Sequence, residues 1–325
     1  MENAKAYAYY KGMLSYQGKN AYEQLKDEMM EGTGKIMLSG ISSDRCGEVF
    51  NAVLLDTPLL FCVNQCNIME CKGKVWIMPK YQMSYSEYRD KKENCIQALQ
   101  ELCSRSKDDW DRLLVLHEKF VKNIRYKEGR NAAHNINGPL LQHEGVCDGI
   151  AKCVKAACDM MGIPCIVVRG EARQSNDLIG RHAWNAIKVE HEWRFFDFTF
   201  DITLNQVNPC RGIPCMDYFS IGYDEMSADH FKWSVRMLES KSGQDYFGRN
   251  GLIVRSQKEL EQIICGSQDE NPVECAFKVD RIWKNYKNEK ALELAVQKLT
   301  KKINIGHKYS FMFNDYQRIG YIHIE

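Results

Sequence analysis

The stretch GVCDGIAKCVKAACDMM, residues 145 to 161, holds a cysteine between two glycines and then continues with helical spacing. Ile150, Val154, Ala157, Cys158 and Met161 mark one apolar face, which places Cys147 in the first turn of a helix. A thiolate there is favoured by backbone amides that lack a partner within the helix and by the positive end of the helix dipole. Gly145 and Gly149 put no side chain beside the sulfur, which leaves room for a substrate backbone. Such a thiol attacks an acyl carbon when a base takes its proton and a third group orients that base. The stretch RHAWNAIKVEHEWRFFDFTFD supplies both types, His182 and, further on, Asp197. The chemistry these residues point to is thiol-dependent acyl transfer.

Two strands have to position the second and third residues. HAWNAIKV and WRFFDFTF carry the alternation and the β-branched and aromatic content of consecutive strands, after a first strand, CIVVRGEA. A connection formed by residues 188 to 191 pairs Ile187 with Glu192 and sets His182 directly opposite Asp197. Opposed side chains stand about 4.5–5.5 Å apart at Cβ, close enough for a carboxylate–imidazole hydrogen bond. A slip of one residue would put the two on opposite faces. Upstream, the pattern predicts helices near residues 21–30 and 44–55, a short strand in GKIML, and a hairpin around Lys72-Gly73-Lys74. Ser84-Tyr85-Ser86-Glu87 has the form of a capping box and opens a helix to about residue 103. A further helix from Asp108 carries Trp110, Leu113, Leu114, His117, Phe120, Val121 and Ile124 at helical spacing, with His117 expected as a core or boundary histidine and not a catalytic one. Residues 127–145 are polar and glycine-containing and are expected as loop. Beyond residue 236 come a helix opened by Ser256-Gln257-Lys258-Glu259, another near 291–299, and the alternating strands YSFMF and GYIHI.

GVCDGIAK at 145–152, HAWN at 182–185 and WRFFDFTFD at 193–201, in that order, resemble the transglutaminase-like superfamily in its bacterial branch. The resemblance implies a Cys147–His182–Asp197 triad and an α+β, papain-like core. In that fold the cysteine starts a central helix packed on an antiparallel sheet that carries the other two residues. YFSIGYDEMSADHFKW at 218–233 resembles a segment that follows the core in many bacterial members, and the helix ending KNIRY resembles one that precedes it. One departure is that Thr199 is followed by Phe200 where the family usually has tryptophan. The expected organisation is a mixed N-terminal region at 1–105, a catalytic core at 106–235 and a C-terminal α+β region at 236–325.

Around the triad, Gln142 stands five residues before Cys147, where papain-like enzymes use a glutamine to help hold an oxyanion; a solvated loop glutamine is the alternative. Trp184 either walls the cleft beside His182 or packs the sheet. His143 is a poorer base than His182 because no strand fixes it. Asp148 is expected to be exposed; Asp201 could cap a strand end or support the site, with the cap favoured. Cys210 and Cys215 flank a Gly-Pro loop, with packing favoured over a redox role.

The chain of 325 residues has 44 Lys plus Arg against 43 Asp plus Glu, a balance that gives no reason to expect nucleic acid or an anionic membrane as partner. It shows no apolar run long enough for a membrane span, and its start lacks the basic-then-apolar pattern of a secretory leader, so a cytoplasmic protein is expected. Fourteen cysteines without a C-x-x-C pair, and histidines without an H-x3-H pair, predict neither a disulfide scaffold nor a metal; most of these thiols should be buried small hydrophobes. No cofactor is required by the chemistry. The expected substrate is a peptide or protein amide, with water taking the acyl group in preference to an amine. The alternative is a catalytically silent binding or scaffolding module of the same fold.

Overall fold

A computed structural model describes residues 6–128, 131–174, 178–236, 238, 240, 244–267, 272–283, 289–303 and 308–325. It is a mixed α+β structure whose sheets are built mainly from antiparallel pairs. The chain divides into two compact units. The first holds the residues up to Lys119, Ile124–Arg169 and His182–His191; the second holds Phe120–Asn123, Gly170–Arg181 and the residues from Glu192 onward. Among the described residues, no helix is long and apolar enough to cross a membrane.

In the first unit, helix Tyr16–Met30 starts at Ser15, whose hydroxyl accepts from the Gly18 amide. Helix Ser43–Asp56 follows the strand Ile36–Leu38. The expected hairpin is formed by Val63–Cys71 and Lys74–Tyr81, with Lys72 and Gly73 both at positive φ (51° and 69°), as a two-residue turn between twisted strands requires. Ser84 caps helix Tyr85–Leu102 by accepting from the Glu87 amide at 3.2 Å. His117 lies on helix Asp109–Asn123 and is fully buried, as its place in the apolar stripe predicts. The described residues among 127–145 are more ordered than a loop. A 3₁₀ turn at Asn131–His134 and a π turn at Gly138–Gln142 occupy them, because Ala133, Ile136 and Leu140 recur three and four apart and are all buried.

Helix Cys147–Met161 ends at Gly162, whose left-handed φ of 73° lets the Ile163 amide return to the Cys158 carbonyl. A four-stranded sheet then runs in the order Glu192–Phe196, Ile179–Val189, Cys165–Arg173, His230–Phe231. Two corrections to the sequence reading fall here. Only Glu190 and His191 connect Ile179–Val189 with Glu192–Phe196, both at positive φ (49° and 70°), so the connection is two residues and not four. The direct opposition of His182 and Asp197 depended on the longer connection; a two-residue turn moves the register by two, an even step that keeps each side chain on its face. The last strand also stops at Phe196. Asp197 is the N-cap of a helix, Phe198–Val207, that the aromatic content of FDFTF disguised as strand.

The second unit is completed by a sheet in the order Ile253–Val254, Val273–Val279, Ile319–Ile324, Tyr309–Asn314, parallel in its first pair and antiparallel in the others. Helices Gln257–Gly266 and Glu289–Ile303 form its core with it, through Leu260, Ile264, Leu292, Val296 and Leu299 packed with Phe277 and Ile322.

Candidate active site

In the first unit, Cys147 is the first residue of its helix and is half-buried. Val146 precedes it in extended conformation and supplies no side-chain cap, so no side chain of the N-cap competes for the amides of the first turn. Together with Tyr10, Cys147 packs against a cluster of Leu55, Ala151, Val167 and Ala183, the last of these adjoining His182 in sequence. His182 is 8% exposed and its ring stacks on Trp184, with centroids 6.0 Å apart and planes 22° from parallel. Trp184 itself is buried at 1%, so it packs the sheet and at the same time backs the imidazole. Asn185 of the same motif donates to the Ala151 carbonyl at 2.9 Å, tying the strand to the Cys147 helix.

The two glycines have another purpose than expected. A Cβ on Gly149 would lie 2.2 Å from the Ala133 carbonyl oxygen, and one on Gly145 would lie 2.8 Å from Pro139 Cγ. They admit the protein's own 131–142 segment and not a substrate. That segment ends at Gln142 and is followed by His143, both exposed, the latter at a left-handed φ of 55°. Asp148 is partly buried, contrary to expectation. Its Oδ2 takes the Lys152 ammonium at 2.5 Å and its Oδ1 takes Arg169 Nη2 at 2.7 Å. Burial alone would raise its carboxyl, but the Lys152 and Arg169 charges hold it below the ordinary carboxylate range.

In the second unit, Asp197 is 1% exposed, and its main-chain amide donates to the Tyr218 carbonyl at 3.1 Å. Its Oδ1 accepts from the amides of Thr199 (2.9 Å) and Phe200 (3.1 Å). Its Oδ2 faces His230 Nε2 at 3.1 Å. His230 is held in the strand His230–Phe231 by the pairing of Ala172 with His230, and its Nδ1 lies 2.6 Å from Asp229 Oδ1. The other Asp229 oxygen accepts from the Tyr218 hydroxyl at 2.5 Å. Burial alone would lower the His230 imidazole, but the Asp197 and Asp229 carboxylates hold it above its ordinary value. These ligand-type groups thus bond to one another. The sequence reading missed His230, Asp229 and Tyr218 as site residues, although all three lie in the 218–233 segment it singled out. Asp201 caps no strand: it is fully buried and accepts from the Tyr218 amide at 3.1 Å, with burial and the nearby Asp197 charge pushing its carboxyl well up. Cys210 and Cys215 are buried free thiols.

Cys147 and His182 therefore lie in the first unit and Asp197 in the second. No curated protein matches the chain. Three solved structures resemble parts of it. One described as a TGase is 11% identical, with a TM-score of 0.31 over 51% of this chain and 51% of its own. A candidate cysteine protease from Cytophaga hutchinsonii is 12% identical, with a TM-score of 0.29 over 42% of this chain and 61% of its own. A candidate protease from Parabacteroides distasonis is 11% identical, with a TM-score of 0.26 over 40% and 35%. The chain thus spans about half the length of the first of these structures. The model of the transglutaminase-like superfamily matches residues 96–198, a span that contains the cysteine, histidine and aspartate motifs. It is in this segment, residues 96–198, that the chain is similar to the transglutaminase-like superfamily.

Proposed function

We propose that the protein is a cysteine-nucleophile hydrolase acting on a peptide or amide bond, with Cys147, His182 and Asp197 as its triad. The observation that carries this reading is that one superfamily match contains all three residues in order, with Cys147 as the half-buried first residue of a helix. His182 takes the Cys147 proton, and the thiolate attacks the carbonyl carbon of the substrate. Asp197 fixes the imidazole tautomer and stabilises the cation that forms. Amides of the first helical turn hold the oxyanion, with Gln142 the side-chain candidate to assist them. Collapse of the tetrahedral adduct expels the amine, protonated by His182, and leaves a thioester on Cys147. Water, deprotonated by His182, then attacks the thioester and releases the acid; an amine in its place would give transamidation.

The test is trapping of acyl adducts from a peptide library on the wild-type chain and on Cys147→Ala, read by mass spectrometry. Adducts confined to Cys147 and absent from the variant are expected. A wild-type chain that acquires none, while remaining folded, would favour the silent scaffolding module instead.

A further inference from the structure

The Asp197 carboxylate has no freedom left on either oxygen that a small rotation would not cost. Two amides fix Oδ1 and His230 fixes Oδ2, in surroundings where Asp197 is 1% exposed and His230 is equally buried. His230 is held in turn from its other nitrogen by Asp229, and Asp229 by the Tyr218 hydroxyl. Both ring nitrogens of His230 face carboxylate oxygens. A neutral imidazole has one donor and one lone pair, so one of the two contacts would set a lone pair against an anion; only the doubly protonated ring donates to both. A lone helix-capping aspartate needs none of this, because its amides already orient it. The second carboxylate and the tyrosine are what a device for holding His230, and through it Asp197, would require.

We propose that His230 is a positioning residue that clamps the Asp197 carboxylate through Nε2–H···Oδ2 while Asp229 and Tyr218 fix the ring from behind. This rests on the proposed role of Asp197 in the triad. The clamp keeps Asp197 in one rotamer, and the positive ring between two carboxylates lowers the cost of keeping both ionised away from water. Within the second unit, the titratable groups bonded to His230 or standing behind it are Asp197 at the helix start, Asp229 beside it and Tyr218 from the preceding segment. On the paired strand Glu171 engages Lys232, and Arg173 lies over the Phe231 ring.

Two substitutions separate positioning from mere packing. A glutamine at 230 can place its amide nitrogen where ring Nε2 stood and still donate to Asp197. An asparagine reaches only where Nδ1 stood and serves Asp229 alone. With p-nitrophenyl acetate as acyl donor, His230→Asn is expected to lose about 10- to 100-fold in kcat with KM nearly unchanged, and His230→Gln to keep activity within about 3-fold, since small misplacements of catalytic groups cost rates of this order. Equal losses in the two variants, or no loss in either, overturn the proposal. Nitrogen-15 spectra of the wild-type imidazoles supply a readout that needs no variant: His230 should show two protonated nitrogens at neutral pH, and a neutral ring overturns the clamp. Should Cys147→Ala hydrolyse the ester as fast as wild type, the thiol reading itself fails, while the spectra still report whether the clamp exists.

Discussion

At the scale of single residues, Cys147 is one of fourteen free cysteines, nine of which are buried. Burial makes such thiols poor nucleophiles: it pushes Cys62 up to about 11 and Cys95 to about 12, far from any useful thiolate population at neutral pH. Cys71 is the informative comparison, because it is exposed at the end of a hairpin strand with no helix start beneath it. If exposure alone governed reactivity, Cys71 would be alkylated first. We expect the reverse: iodoacetamide at neutral pH should label Cys147 ahead of Cys71, and His182→Ala should bring the Cys147 rate down to that of Cys71 or below. Peptide mapping over a time course measures this, and a wild-type chain in which Cys71 reacts first would leave the activated thiol without support.

At the scale of elements, the Cys147 helix is fixed from its start by the 131–142 segment. Replacing glycine by alanine inside a helix ordinarily stabilises by up to about 1 kcal/mol. At Gly149 the added Cβ would fall 2.2 Å from a backbone oxygen, which cannot swing aside as a side chain can. Overpacking of this kind costs roughly 1–3 kcal/mol, so the clash outweighs the propensity. Gly149→Ala should therefore lower the urea midpoint, and a midpoint that rises would show that the 131–134 turn yields easily. The same element explains why a stretch legible only as polar loop carries structure: its three buried apolar residues have helical spacing over too short a span to stand out.

At the scale of the molecule, the second unit keeps a group of buried acids whose protonation is coupled to folding. Asp217 accepts from the Tyr321 hydroxyl at 2.7 Å and from Asn314 Nδ2 at 2.9 Å, which joins the segment after the Phe198–Val207 helix to the C-terminal sheet. Burial, reinforced by the Asp201 charge, raises its carboxyl to about 7. A carboxyl raised in the folded state binds its proton more tightly there than in the unfolded chain, where the value is about 3.9. Its contribution to stability is therefore complete below about pH 4 and is lost as the pH rises through about 7, a change on the order of 3–4 kcal/mol. Urea titrations between pH 5 and 8 should show this fall, and Asp217→Asn should flatten it; an unchanged slope in the variant would assign the pH dependence elsewhere.

The sequence by itself determined what depends on near neighbours. Helical spacing placed Cys147 at a helix start, local capping placed the starts at Ser84 and Ser256, and alternation located the C-terminal strands. It identified the three motifs because their residue types and order resemble those of the superfamily without reference to distance. Only the tertiary structure decided that Asp197 caps a helix, that two residues close the hairpin before it, that Gly149 yields to a carbonyl, and that His230 stands against Asp197. The reason is physical. A cap, a turn type and a close backbone approach are chosen by what packs against them, and the partners of Asp197 and Gly149 lie up to 33 residues away in the chain, beyond the reach of any local pattern.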